Sequence, residues 1–189
     1  MRPLHDVLKY VAPITGGDKN RIYGVARAIR EANMIPTSGG PNRREKIGSE
    51  HLALLSIGWC LDSHIRDLPD EVVKRFNLPD EDGNILGDVI AKRIEAFKIL
   101  RKDNPSRAEA AFIIATAKTR FDFDLDEARV TATVDLPNGT QVQTVYGPQD
   151  APWLDTRINR SCSLSAKVIH DLAMLLHFGE LPPRVARAA

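Results

Sequence analysis

Lys19, Arg21, Arg27 and Arg30 recur along one stretch of helical periodicity, and Arg43, Arg44 and Lys46 follow in a loop containing glycine and proline. Within residues 19–46 only Glu31 and Glu45 oppose these seven cations. That is a local excess of +5 in a chain whose formal net charge is +1. Positive charge on a helix and an adjoining loop suits the phosphate-lined groove of duplex DNA, where release of condensed counterions drives association. The plain alternative is a solvated helix face beside a basic loop.

Position within the helix divides the work expected of these residues. Asn20 and Arg21 stand in the first turn, where a helix inserted in the major groove brings side chains to base edges. Asparagine pairs with adenine and arginine with guanine through two hydrogen bonds, so these two are the expected readers of sequence. Lys19, Arg27 and Arg30 are expected to hold phosphate, and Arg43, Arg44 and Lys46 to form a wing. Tyr23 fits either the DNA face or the packed face.

The elements that must position them follow from spacing. PLHDVLKYVA sets Leu4, Val7, Leu8 and Val11 at helical intervals, with Pro3 suited to a first turn. ITGGD ends that helix, and Asp18 can cap the next, whose buried stripe is Ile22, Val25, Ala26, Ile29 and Ala32. Pro36 stops it. Ser49 is expected to cap the apolar helix EHLALLSIGWCLDSHI. LPDEVVKRFNLPDEDGN reads as a short helix and an acidic turn, the expected boundary between two regions. Asn84 can start a further helix carrying Leu86, Val89, Ile90, Ile94, Phe97 and Leu100, and Asn104-Pro105 opens another. The period then changes to two. ARVTATVDL and TQVQTVYG flank Pro137-Asn138-Gly139 as a hairpin, RINRSCSL offers a third strand, and SAKVIHDLAMLLHF closes the fold as an amphipathic helix.

REANMIPTSGG, a basic loop and then SEHLALLSIGW resemble the MerR-type winged-helix domains. Those have a helix ending in a short apolar-proline step, an arginine-bearing wing and a capped helix after it. RIYGVARAIREANMIPTSGG is also similar to small DNA-binding proteins of temperate phages and prophages. The resemblance covers about the first 65 residues. It implies a winged helix-turn-helix head and a DNA-binding, regulatory role. The remainder does not resemble a MerR-type effector domain, so no inducer or metal-sensor role is implied.

The expected fold is therefore α+β and mostly helical: a winged helix-turn-helix over 1–68, an α+β oligomerisation or partner region over 84–181, and a flexible tail over 182–189. Charge supports that division, since residues 1–50 sum to +4, 51–127 to −4 and 128–189 to +1. Only the head is expected to face a polyanion. A homodimer through residues 84–119 or the last helix is expected, because DNA readers commonly pair to double their contacts. Cytoplasmic location is the default. No apolar run approaches bilayer length, and Asp6 argues against a signal peptide.

Rival chemistries have weaker support. Asp122, Asp124 and Asp126 alternate as calcium ligands can, but no glycine follows, and a strand face is the stronger reading. His51 and His64 lack partners at ligand spacing, and Cys60 and Cys162 lie far apart without a CxxC motif. No cofactor, metal, small-molecule ligand or enzymatic activity is indicated. Two alternatives to a regulator stand. One is a DNA-packaging adaptor of the small-terminase kind, which requires a long helical hairpin from residues 84–119. The other is a protein-interaction module whose basic face meets an acidic partner.

Overall fold

The computed structural model describes residues 2–36, 46–101, 105–136, 138–148 and 161–180. Arg2–Pro3 (β1) leads directly into Leu4–Thr15 (α1) and then Lys19–Glu31 (α2). Pro3 therefore precedes the first helix instead of lying in its first turn. Gly16 ends α1 with φ +74°, a left-handed conformation that glycine adopts without a Cβ penalty. Asp18 caps α2 as expected, its Oδ1 accepting the Arg21 N–H at 2.7 Å. α2 ends at Glu31, ahead of Pro36, on an Ala32 cap whose N–H reaches Ala28.

Lys46–Ile47 (β2) pairs antiparallel with β1, Arg2 opposite Ile47 and Pro3 opposite Lys46. Ser49–Cys60 (α3) follows. The expectation that Ser49 caps α3 is corrected: Gly48 holds the cap position, its N–H donating to His51 Nδ1 at 3.0 Å, while the Ser49 hydroxyl turns to Glu95. α3 is buried nearly all round, with Leu52, Ala53, Leu55, Ser56, Ile57, Gly58 and Cys60 all inside, which makes it the axis of the fold.

Leu68–Phe76 (α4) and an acidic turn come next. The expected helix start at Asn84 is also corrected. Asn84 is spent on Asp80, whose Oδ1 accepts the Asn84 backbone N–H at 2.8 Å, and Leu86–Ala96 (α5) begins after Ile85. A 3₁₀ turn over Phe97–Arg101 and a second short helix, Arg107–Thr116 (α6), follow; Ser106 and Glu109 form a reciprocal capping box on α6.

Thr119–Asp124 (β3), Val130–Asp135 (β4), Gln141–Tyr146 (β5) and Ser161–Leu164 (β6) form one antiparallel sheet in the order β5-β4-β3-β6. The hairpin expected around Asn138-Gly139 joins β4 to β5, and Gly139 has φ +83°. The third strand pairs with β3, on the far side from β5. Phe121, Phe123, Val130, Ala132, Tyr146 and Leu164 point to one buried face. Asp122 and Asp124 occupy the other face. Arg120 Nε donates to Asp122 at 2.8 Å, and Asp124 Oδ1 accepts the Asp126 and Glu127 N–H groups in the turn to β4. Ala166–Phe178 (α7), capped by Ser165, packs on α1 and α5.

The expected division between residues 68 and 84 is not a division of the core. One apolar cluster runs from Val7 and Ile29 through Leu55 and Ile90 to Phe123 and Leu176. The linker-like stretch itself joins the layers: the Gly147 N–H donates to the Pro79 carbonyl at 2.9 Å, and the buried Arg75 reaches the Glu127 carbonyl at 3.4 Å. Apart from Arg75 its charges face outward, while Leu68, Val72 and Leu78 are buried. The tail at 182–189 lies outside the described residues.

Close approach of α2 to α3 depends on Gly58. A Cβ there would lie 2.8 Å from Val25 Cγ1 and 3.1 Å from Ile29 Cδ1. Gly58→Ala should lower stability by about 1–2 kcal/mol, the overpacking strain outweighing the gain in helix propensity. Urea denaturation monitored by circular dichroism measures this; an unchanged or higher midpoint would show that the two helices have room to spare.

Candidate nucleic-acid interface

At 100° per residue, Lys19, Tyr23, Arg27 and Arg30 fall within an arc of about 80° on α2, spread over about 16 Å of its length. Lys19, Asn20, Arg27 and Arg30 are exposed, and Tyr23 is half-buried with its ring against the core. The adjoining side buries Ile22, Val25, Ala26 and Ile29 against the rest of the protein. The sequence thus yields one continuous polar stripe, cationic at both ends. Arg27 Nε donates to Glu31 at 2.7 Å on the open surface, and that hydrogen bond and charge raise the guanidinium pKa further. An exposed pair of this kind is readily exchanged for a phosphate oxygen.

Arg21 does not belong to the stripe. It lies about 200° around the helix from Lys19, on the side facing the end of α3. There its Nη2 donates to the carbonyls of Leu61 at 2.7 Å and Ser63 at 2.9 Å. Carbonyls at a helix C-terminus have no intrahelical donor, and a guanidinium supplies one with charge assistance. The expectation that Arg21 reads base edges is corrected on this geometry: it clamps α2 to the α3 terminus. Asn20 remains exposed, so of the two expected base readers only Asn20 is left on the open face of the first turn.

Arg21→Ala should accordingly cost roughly 1–2 kcal/mol of stability and weaken binding to specific and scrambled duplexes alike. Thermal melts with parallel competition binding check both parts. Unchanged stability with preference lost at one base position would return Arg21 to the reading face.

Lys46 is exposed on β2, where pairing with Pro3 anchors the end of the basic loop to the start of α1. The expected wing residues Arg43 and Arg44 lie outside the described residues. That anchor was not visible in the sequence, because a two-residue strand carries no periodic signal.

A concavity that the sequence did not foreshadow lies between the start of α3, α5 and α7. It measures ≈390 Å³ and is lined by Ser49, His51, Lys92, Glu95, Lys98 and His177 among others. Glu95 is already engaged there by Ser49 and Lys98, and the His177 ring approaches the Ile94 carbonyl at 3.1 Å. Burial lowers the His177 pKa. These groups are far apart in sequence, and no motif links them.

Comparison with family models, curated proteins and solved structures found no match. Among the described residues, no helix is long and apolar enough to cross a membrane.

Proposed function

We propose that this protein binds double-stranded DNA through the exposed stripe of α2, with sequence preference, as a phage- or prophage-type transcriptional regulator. The observation that carries this reading is the stripe itself. Lys19, Arg27 and Arg30 share one exposed face with Asn20 at its N-terminal end, on a helix that a glycine turn, a cap and an arginine clamp hold rigidly to the core. The order α1, tight turn, α2, β2, α3 supports a winged helix-turn-helix reading, in which the basic residues between 37 and 45 would serve as the wing. Asn20 reads a base, and Lys19, Arg27, Arg30, Lys46, Arg43 and Arg44 grip the backbone.

Selection of bound sequences from a pool of random duplexes tests the proposal. Enrichment of a short shared motif is expected, with preference at one position lost in Asn20→Ala. Recovery of all sequences alike would remove the regulator reading and leave general affinity for polyanions, including an acidic protein surface.

The packaging-adaptor alternative needs a long helical hairpin. Residues 84–119 instead form α5, a 3₁₀ turn and α6, with α5 spanning 11 residues and α6 spanning 10. α5 is spent on the core through Leu86, Ile90 and Ile94.

The dimer belongs to this proposal too, with its surface narrowed. α7 buries Ile169, Leu172, Leu175 and Leu176 within the chain, so the expectation that it could pair two copies is withdrawn. α6 is the opposite case: Phe112 is 41% and Ile114 53% exposed. Ile114→Asp should convert a dimer at tens of micromolar into a monomer by light scattering. A wild-type monomer, or a dimer that survives the charge, would contradict pairing through α6.

A further inference from the structure

We propose that Cys60 and Cys162 form a redox-modification site, in which a hydroperoxide converts the two thiols into a disulfide joining α3 to β6. The pair is 102 positions apart in sequence but adjacent in the fold. β6 packs against α3, and Cys60 is the last residue of α3. Alternation along β6 supplies the second half of the argument. Cys162 pairs with Phe123 and Leu164 with Phe121, all on the inward face, so the Cys162 side chain points into the layer that holds Cys60. The two thiols lie close enough there for each to perturb the ionisation of the other.

Their environments divide the roles. Cys60 is 7% exposed, while Cys162 is only partly buried, on the edge strand of the sheet, and is the more accessible of the two. The neighbouring Cys60 thiol lowers the Cys162 pKa to about 7, against the opposing effect of burial, and Cys162 together with burial raises that of Cys60. Cys162 is thus the thiolate nucleophile. It attacks the peroxide O–O bond, giving a sulfenic acid and hydroxide from hydrogen peroxide. The Cys60 sulfur, losing its proton, then displaces the sulfenic oxygen, forming the S–S bond and releasing water. Two thiols are oxidised by two electrons and one peroxide is reduced. The bond would tether the α3 terminus one residue before Leu61, whose carbonyl Arg21 holds, so it would stiffen the seat of α2.

Hydrogen peroxide treatment of the reduced full chain, followed by alkylation under denaturing conditions and peptide mapping, tests this. A cross-linked Cys60–Cys162 peptide from monomeric protein is expected, with an intact mass lower by two hydrogen atoms. Closing so long a loop should raise the thermal midpoint by roughly 10 °C. In Cys60→Ser, dimedone should trap a sulfenic acid at Cys162. Sulfinic or sulfonic acid at Cys162 with an intact Cys60 thiol in the wild type would overturn the proposal, as would disulfides only between chains.

Discussion

Replacing Lys19, Arg27 and Arg30 together with alanine should weaken binding to duplex DNA by roughly two to three orders of magnitude at low salt. The same change should flatten the plot of log K against log salt by about two to three units, since each phosphate contact contributes about 0.9. All three side chains are exposed outside the buried stripe, and alanine favours helix, so the fold should persist. Fluorescence anisotropy with labelled duplexes over a salt series provides the measurement, with circular dichroism confirming folding. A folded triple variant with unchanged affinity and slope would locate DNA binding elsewhere or nowhere.

Phe123→Ala should cost about 3–5 kcal/mol, the loss expected on deleting a fully buried ring. Phe123 is 0% exposed in β3, between Val130 and Cys162 on the neighbouring strands. Because one apolar cluster spans α1 to α7, the loss should appear in a single cooperative transition that also melts α2, far from the substitution in sequence. Chemical denaturation followed both by helix signal and by Trp59 fluorescence checks this. Two separate transitions, with the N-terminal helices surviving, would restore the two-domain picture.

Local signals were legible and long-range ones were not. Asp18, the Ile22, Val25, Ala26 and Ile29 stripe of α2 and the Asn138-Gly139 turn all act within a few residues and formed where their patterns lie, although Ala32, expected in that stripe, is exposed. Arg21 failed as a reader because its partners are backbone carbonyls 40 and 42 positions away, and no side-chain pattern marks a carbonyl. Ser49 and Asn84 had the chemistry of caps, but Glu95 and Asp80 offered them other partners. The acidic turn resembled a linker because its charges are what a sequence displays; its buried Leu78 and the backbone bond from Gly147, just after β5, to Pro79 emerge only on folding. The cysteine pair was hidden in the same way, since β6 had to cross to β3 before Cys162 could meet Cys60.

The central claim is that the α2 stripe, with Lys46, meets phosphate. Titration of the wild-type protein against a duplex from about 50 to 200 mM salt tests it most directly. Four basic groups, Lys19, Arg27, Arg30 and Lys46, should give a slope of log K against log salt of about −4, steeper if the loop arginines also engage. Absence of binding at the lowest salt, or a slope near zero, would contradict it.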